Sequence, residues 1–202
     1  MIFTKGNKLK MDIVYIENEL KKIVTPKRFQ HSVGVRYEAV KLAKQYGADE
    51  KKAELAGLVH DCAKDFEYEQ MLKMCDHYGV ILDTVSLNEK KLIHSQLGAM
   101  YAKKVFCIDD DEIYDAVFYH TTAKANMSML TKIIYIADYI EPNRTFEGVD
   151  ELRQTAYINI DNAILTGLDF TINQLVSEKK MLHPETINAR NDIILKMRCK
   201  ND

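Results

Sequence analysis

Apolar side chains recur at the three- and four-residue spacing of an α-helix along almost the whole chain. The clearest stretches are Ile13, Ile16, Leu20 and Ile23; Ile113, Ala116 and Val117; and Leu130, Ile133, Ile134 and Ala137. No stretch of comparable length alternates apolar and polar residues with the period of two that a half-buried strand shows. Pro26, Pro142 and Pro184 fall where the periodic pattern begins or ends, and Gly47 and Gly79 follow periodic segments as helix caps do. The sequence therefore predicts an all-α fold.

The same period divides the chain into a series of predicted helices. They span residues 12–24, 28–46, 50–62, 67–78, 95–106, 110–120, 128–141, 150–157, 160–178 and 185–197. Residues 79–94 form the longest weakly patterned stretch, which we interpret as either a lid or a surface connection. Because no repeat, low-complexity run or linker divides the chain, residues 11–202 are predicted to form one domain, preceded by a flexible segment at residues 1–10.

The composition excludes several classes of protein. The chain has 28 Lys and Arg against 30 Asp and Glu, so it lacks the basic excess of a protein held mainly by nucleic-acid phosphates. Its cysteines, Cys62, Cys75, Cys107 and Cys199, form no Cys-x-x-Cys pair and indicate reduced thiols. The sequence shows neither an apolar run of roughly 18 residues nor the apolar region of a signal peptide. We predict a cytoplasmic protein with neither nucleic acid nor membrane as a partner.

Four of the six histidines lie in apolar, helix-like surroundings. They are His31 in RFQHSVGV, His60 in LAGLVHDCAK, His94 in KLIHSQLGA and His120 in AVFYHTTA. The other two, His77 just before Gly79 and His183 just before Pro184, are interpreted as residues of a helix end and a helix start. The first four are candidate metal ligands or catalytic groups, because imidazole serves both purposes.

His60 and Asp61 are adjacent at the predicted end of a buried helix, where an imidazole and a carboxylate can point into one space. The dipeptide alone is weak evidence, because the pair can also form a hydrogen bond at a helix end. Asp138, in KIIYIADYIEP, lies on an apolar stripe, where an uncompensated carboxylate costs several kcal/mol. Lys132, Arg144 or a helix N-terminus could compensate it. We prefer a metal ion that Asp138 shares with the histidines, because one ion explains why several apolar stripes each end in a histidine or an aspartate.

Three glycines inside predicted helices, Gly34, Gly57 and Gly98, each lie three or four residues from one of the candidate histidines. Glycine in a helix costs about 1 kcal/mol relative to alanine. The glycines therefore predict a close approach of another helix or of a ligand, and tight helix packing alone explains them equally well.

The order His31, His60-Asp61, Asp138 matches the H…HD…D pattern of the HD superfamily. Within it the chain resembles the bacterial YqeK family of symmetrical diadenosine tetraphosphate hydrolases. The matching stretches are RFQHSVGV, ADEKKAELAGLVHDCAK, HSQLGA, DAVFYHTTAKANMSMLTKIIYIADYIEPNR, FEGVDELR and INARND. One departure is Ala123, where the resemblance leads us to expect glycine after His-Thr-Thr. We expect the exchange to alter a loop beside the phosphates without touching a ligand.

The resemblance implies a single HD-type helical domain that binds one metal ion of the iron type. It places the metal on His31, His60, Asp61 and Asp138, and it places contacts to an ADP-like group on Arg28, Asp61, His94, His120, Asp138, Tyr139 and Arg144. Independently of the resemblance, two imidazoles and two carboxylates suit Fe, Mn, Zn or Co. Lys64, one turn after Asp61, supplies a point charge for phosphate. Surface charge is the alternative for these cations, and it is favoured more for Lys64 than for the arginines.

The implied reaction is hydrolysis of a dinucleoside tetraphosphate to two nucleoside diphosphates. In this reading the metal polarises a phosphoryl oxygen and activates water, which Asp61 orients, while His94 and His120 neutralise charge or protonate the leaving oxygen. A second metal on these two histidines is disfavoured because HSQLGA and YHTTA contain no acidic residue. The alternatives are a hydrolase of another nucleotide or alarmone, and a sensor that binds ADP and metal without turnover. Helical HD domains are often dimeric, so we also expect a homodimer.

Overall fold

The computed structural model describes residues 13–199. Within that range the chain forms eleven helices and no strand, which confirms the predicted all-α fold. The helices are α1 (Ile13–Ile23), α2 (Pro26–Tyr46), α3 (Glu50–Val59), α4 (Tyr68–Tyr78), α5 (Thr84–Asn88), α6 (Lys90–Lys104), α7 (Asp111–Phe118), α8 (Met129–Ile140), α9 (Val149–Ile158), α10 (Ile160–Ser177) and α11 (Pro184–Cys199). Residues 1–10 lie outside the described range, so the flexible segment and the domain boundary at residue 11 stay predictions.

Helices α2, α3 and α8 pack together at the centre, with α7, α9 and α10 around them. Helix α8 is buried on almost every side, and Ile133, Ile134 and Ile136 are fully excluded from solvent. Such a helix lies inside the core rather than on it. Its N-terminus is capped by the side chain of Ser128, which accepts a hydrogen bond from the backbone N–H of Thr131. Helix α8 therefore brings Asp138, near its C-terminus and partly exposed, to the edge of the core.

Two of the three helical glycines permit a close approach, as predicted. A methyl group at Gly57 would lie 2.8 Å from the Cα of Arg36, so glycine lets α3 approach the backbone of α2. A methyl group at Gly34 would lie 2.5 Å from a side-chain oxygen of Glu141. At Gly98 the nearest atom would be 3.5 Å away, which is an ordinary van der Waals contact.

Two predicted helix boundaries are wrong. Helix α3 ends at Val59 instead of residue 62, and residues 60–65 continue as turns. Residues 79–94 are largely helical, because they contain α5 and the first turn of α6, which begins at Lys90 instead of residue 95. The reason is that α6 is buried on all sides from Ile93 to Ala99, so its polar residues conceal the amphipathic period.

Two further observations concern the predicted reduced thiols and the predicted lack of a membrane-spanning segment. All four cysteines are free thiols, with Cys62 and Cys75 buried and Cys107 and Cys199 exposed. None of the described helices is long and apolar enough to cross a bilayer.

Candidate metal centre and adjoining pocket

The four predicted metal ligands converge from α2, from the turn after α3 and from α8. The Nε2 atom of His31 lies 3.3 Å from Nε2 of His60 and 3.0 Å from Oδ1 of Asp138. Oδ2 of Asp61 lies 3.5 Å from each of these two imidazole nitrogens. Ligand atoms about 2.1 Å from a metal ion are about 3.0–3.4 Å apart at octahedral or tetrahedral angles. The spacing of the four side chains therefore fits a single bound ion.

The His60 ring is prepared to act as a ligand. It is fully buried, and burial lowers its pKa to about 3, so the ring is neutral at pH 7. Its Nδ1 lies 2.8 Å from the carbonyl oxygen of Gly57. Because a carbonyl oxygen can only accept, Nδ1 carries the proton and Nε2 presents a lone pair to the cluster.

Glu141 holds the His31 ring, a role that the sequence analysis missed. Nδ1 of His31 lies 3.1 Å from Oε1 of Glu141, which is 2% exposed. The other carboxylate oxygen accepts hydrogen bonds from the backbone N–H of Asn143, at 2.7 Å, and from its side-chain amide, at 3.0 Å. A carboxylate behind a metal-binding histidine fixes the ring and raises its basicity. The sequence feature that could have indicated this role is a glutamate one turn after Asp138, between an apolar helix and Pro142.

Asp61 faces two groups of side chains at once. Its Oδ2 accepts hydrogen bonds from Arg28, at 2.8 Å, and from Lys64, at 3.0 Å. Its Oδ1 lies 3.0 Å from Nε2 of His94 and 3.3 Å from Nε2 of His120. Burial alone would raise the pKa of Asp61, but its histidine and lysine neighbours outweigh burial and hold the pKa well below its usual range. Asp61 is therefore an anion that links both groups.

His94 on α6 and His120 just after α7 lie on the pocket side of Asp61. Their Nε2 atoms are 3.1 Å apart, and burial lowers the pKa of His94 to about 4. The Nδ1 atom of His120 lies 2.7 Å from the carbonyl oxygen of Val117, which directs its Nε2 towards the site. The ligand atoms of His60, Asp61 and His120 lie within 4.8 Å of one another. A second ion would thus share Asp61 with the first ion. Asp61 would supply the carboxylate that is missing from the sequence around His94 and His120.

Asp138 belongs both to the cluster and to the neighbouring cavity. Its Oδ1, which faces His31, is also 2.5 Å from Nη2 of Arg144, so one of the alternative partners considered for this carboxylate is present. Lys132, another alternative, instead contacts Asp161. Burial favours a raised pKa for Asp138, but His31 and other positive groups lower it well below its usual range.

A pocket of about 580 Å³ adjoins the cluster. On one side it is lined by most of the predicted substrate and catalytic residues, namely Lys64, His94, His120, Asp138, Tyr139 and Arg144. Helix α10 and the segment after it form much of the remaining lining. Two predicted contact residues, Arg28 and Asp61, are not among the lining residues, and Arg28 donates to Asp61 from outside the pocket. A cavity of this volume is in the range of small-molecule sites.

His183 has a further role beyond the helix-start position that the sequence predicted. It lines the pocket, and its Nε2 lies 2.9 Å from Oδ2 of Asp83, the residue that caps α5. The contact joins the segment before α11 to the segment before α5. His77, in contrast, lies in the last turn of α4, as predicted. The pocket-lining aromatic residues Phe146 and Phe170 were also missed, because single aromatic residues carry no site signal in a sequence.

A model of the HD domain matches residues 28–143, more than half of the chain. The chain belongs to the HD domain family. The matched HD region contains His31, His60, Asp61 and Asp138, together with His94 and His120. HD domains bind divalent metal ions, and the clustered histidines and aspartates described above are the residues that could hold one.

Relatives that share the HD domain align over most of the chain. The symmetrical bis(5'-nucleosyl)-tetraphosphatase of Halalkalibacterium halodurans is 38% identical, over 87% of this chain and 93% of the relative. The protein of the same name from Bacillus subtilis is 35% identical, over 87% of this chain and 94% of the relative. A crystal structure from Clostridium acetobutylicum, described as a predicted HD superfamily hydrolase involved in NAD metabolism, is 43% identical, with a TM-score of 0.89 over 92% of this chain and 98% of that chain.

Proposed function

We propose that this HD domain hydrolyses diadenosine tetraphosphate to two molecules of ADP. One structural observation carries the proposal, namely a cluster of imidazoles and ionised carboxylates that opens into a pocket containing Arg144. The two tetraphosphatase relatives support the choice of substrate, because they align with this chain over nearly their whole length.

The metal ion is proposed to be iron, held by His31, His60, Asp61 and Asp138. The donor set fits, because two imidazoles and two carboxylates without a thiolate suit iron, as they also suit Mn, Co or Zn. A bound ion of this kind supplies Lewis acidity towards a phosphoryl oxygen and makes a water molecule nucleophilic at neutral pH.

Two cations keep Asp61 in place to orient the attacking water. Arg28 donates to its Oδ2 and Lys64 donates to both of its oxygens, while Oδ1 also faces His94 and His120 on the pocket side. Lys64 also lines the pocket, so its charge acts on the phosphates as well as on Asp61. In this proposal Asp61 stays ionised and orients the attacking water by accepting a hydrogen bond from it.

The remaining pocket residues act on the phosphate chain. Arg144 offers a fixed guanidinium fork for phosphate oxygens. The Nε2–H of His94, with His120 beside it, faces the oxygens on which negative charge develops. The leaving phosphate oxygen takes its proton from whichever of these two imidazoles is protonated when the phosphates are bound. Tyr139 lines the pocket with its ring, while its hydroxyl contacts Thr171.

Anaerobic purification, metal analysis and product chromatography test the function. We expect a metal-loaded protein that converts diadenosine tetraphosphate into ADP alone. AMP and ATP in equal amounts would mean asymmetric cleavage. Tight binding of ADP and metal without any turnover would instead establish a nucleotide sensor, and activity on other nucleotides in the same screen would establish a different hydrolase.

A homodimer in the cytoplasm is part of the same proposal. Its support is the frequent dimerisation of helical HD domains, so the assembly is tested directly by light scattering of the metal-loaded protein. A molar mass equal to that of one chain, 23.3 kDa, at micromolar concentration would contradict the dimer.

A further inference from the structure

Phe146 and Phe170 form a stacked aromatic pair in the lining of the pocket. Their ring centroids are 5.8 Å apart and their planes are inclined by 25°. Phe170 is 51% exposed, although a large apolar side chain would gain stability from burial. A flat aromatic surface that is open to a ligand pocket is a suitable stacking surface for a nucleobase, because every base has a π-face. We call this pair the aromatic platform.

We propose that the aromatic platform binds the base of one of the two nucleosides of a dinucleoside tetraphosphate, while the other nucleoside occupies the opposite end of the pocket. This inference rests on the proposed function, since only a substrate with two nucleosides needs two base sites. It adds the location of one of those sites and a residue, Phe170, that determines the preference for such substrates.

Helix α10 gives the pocket two distinct ends. Its pocket-lining residues are Phe170, Thr171, Gln174 and Leu175, and the pocket-lining Glu178 follows directly after its last residue, Ser177. Their spacing places them on one face of the helix. At 1.5 Å per residue the span from Phe170 to Glu178 is about 12 Å. The aromatic platform therefore lies at one end of this wall, and the segment that follows α10 lies at the other.

Residues of α8 and α6 connect the cluster of histidines and aspartates with the two ends of that wall. At the platform end, Tyr139 contacts Thr171, next to Phe170, and it follows Asp138 directly in α8. At the other end, Lys91 and Glu178 both line the pocket, and Lys91 is one turn before His94 in α6. Asp138 therefore belongs to the helix that contacts the platform end, and His94 belongs to α6, whose residue Lys91 also lines the pocket.

Symmetrical cleavage breaks the central bond of the substrate, so one nucleoside diphosphate must extend to each side of the cluster. On the platform side, Arg144 contacts Asp138 and lies between Asp138 and Phe146 in the chain. Its guanidinium is therefore suited to bind a phosphate group of the nucleotide whose base stacks on the platform. On the other side, Lys91 and Lys180 line the pocket beside Leu175 and Met181, and Lys180 forms an ion pair with Glu178. Each end therefore combines a cation for phosphate with an apolar surface.

The test compares two substrates that share the tetraphosphate and differ by one nucleoside, diadenosine tetraphosphate and adenosine 5'-tetraphosphate. Metal-loaded Phe170→Ala should raise KM for the dinucleotide about tenfold, since that is the typical effect of losing one base–aromatic stack, with kcat changed less than about twofold. KM for the mononucleotide should change less than about twofold, because its single nucleoside can use the other end. Phe170→Tyr keeps the aromatic face and should restore the wild-type KM.

Val176→Ala is the matched control. Val176 is 64% exposed on the same helix and is not among the pocket-lining residues, so its truncation should leave both KM values unchanged. An unchanged KM for the dinucleotide in Phe170→Ala, or an equal rise for both substrates, would overturn the inference. Thermal unfolding of each variant identifies a general loss of structure.

Calorimetric binding of a non-hydrolysable methylene-bridged diadenosine tetraphosphate separates this inference from the proposed function. If the wild type binds the analogue and Phe170→Ala binds it about tenfold more weakly, the platform is supported even where no turnover is found. Turnover of the dinucleotide with equal analogue affinity in wild type and Phe170→Ala would leave the function standing and remove the platform. A wild type that neither binds nor cleaves the dinucleotide would overturn both.

Discussion

The two walls of the pocket are held by different kinds of interaction. One wall, which we call the cluster wall, is formed by the clustered residues His31, His60, Asp61, His94, His120 and Asp138. In this wall His60 and Asp61 are completely buried, and the rings of His60, His120 and His31 are each fixed by a second contact. In the opposite wall, formed by α10 and the segment that follows it, Phe170 is half exposed, and His183 contacts the partly exposed carboxylate of Asp83. Chemistry requires fixed ligand positions, whereas recognition of a substrate tolerates adjustment.

This contrast predicts that changes in the cluster wall abolish activity, while changes in the opposite wall alter substrate affinity. It also predicts graded effects within the cluster wall, because direct ligands, the groups that orient them and the groups facing substrate contribute in different ways.

The largest effect is expected for Asp61→Asn. The amide keeps the shape of the side chain but removes the charge that binds metal and orients water, so bound metal and turnover should fall together, by more than about a hundredfold in kcat/KM. Metal analysis and steady-state kinetics measure both. Stability should change far less, since Arg28 and Lys64 are partly exposed and can turn to solvent.

Asp65→Asn is the control for this variant. Asp65 lies 3.7 Å from the same arginine, Arg28, and accepts hydrogen bonds from Thr25, but it is not part of the cluster. It should keep metal and most activity. Full activity in a metal-loaded Asp61→Asn protein would remove Asp61 from the mechanism.

A substitution at His120 should separate catalysis from metal binding. His120→Ala is expected to retain the first metal with near-normal affinity, to weaken ADP binding and to slow hydrolysis about 10²–10⁴-fold, the usual contribution of a positioned acid or base. The structure makes this a strict test, because Asp61 lies beside His120 and could bridge two ions. If the active wild type carries two tightly bound metals per chain and His120→Ala loses one of them, His120 is a ligand instead of a phosphate contact.

Glu141→Gln tests the group behind a ligand. The amide cannot replace the carboxylate that accepts from His31 while it also holds Asn143, so metal affinity should fall about 10–100-fold. Competition with a chelator measures the affinity. Glu38→Gln is a matched control, because Glu38 is also a buried glutamate but accepts from Tyr157, away from the cluster. Equal metal affinity in the two variants would show that Glu141 does not position His31.

The difference between the walls also explains what could be predicted from the sequence. Histidines and aspartates on buried helices contradict the apolar pattern around them, so His31, His60, Asp61 and Asp138 stand out without any structure. Their roles as ligands stay predictions, although the structure brings them together. Glu141 was missed because a charged residue at a helix end is ordinary, and only its burial beside His31 reveals a role.

The opposite wall left almost no signal in the sequence. Phe146, Phe170 and His183 are unremarkable where they stand, and they come together only because α9 and α10 fold back on α8. Helix α5 was missed because five residues are too few to establish a period, and its capping residue, Asp83, looks like any turn residue. Local patterns therefore predicted the fold class and the cluster, while long-range packing determined the rest of the pocket.

Within the opposite wall, Asp83→Asn should change substrate affinity modestly. Asparagine caps a helix as well as aspartate, so the hydrogen bonds to the N–H groups of Val85 and Ser86 are kept while the charge facing His183 is removed. A partly exposed contact of this kind is worth at most about 0.2–1 kcal/mol, so KM should rise less than about fivefold, with kcat unchanged. Asp150→Asn removes a similar exposed pair with Arg153 and should have no kinetic effect. A fall in kcat for Asp83→Asn would mean that this wall takes part in the chemistry.

The smallest effect is expected at Ala123, the position where glycine was expected. Ala123 is fully buried and has a φ of 57°, in the left-handed region that glycine adopts without strain. Ala123→Gly removes a strain of about 1–2 kcal/mol. It also loses a buried methyl group, worth about 0.8 kcal/mol, and loosens the unfolded chain by about 0.4–1 kcal/mol. These contributions nearly cancel, so the free energy of unfolding should change by less than about 1 kcal/mol. Activity should stay within about twofold, because Ala123 is not among the pocket-lining residues.

Ala116→Gly provides the comparison that isolates the backbone contribution at Ala123. Ala116 is equally buried but lies within α7, where glycine relieves no strain and costs about 1 kcal/mol of helix propensity in addition to the lost methyl group. Chemical denaturation should therefore show a loss of about 2 kcal/mol for Ala116→Gly, clearly more than for Ala123→Gly. Equal losses in the two variants would mean that the left-handed backbone at Ala123 carries no strain, and that glycine is not the better residue after His-Thr-Thr in this chain.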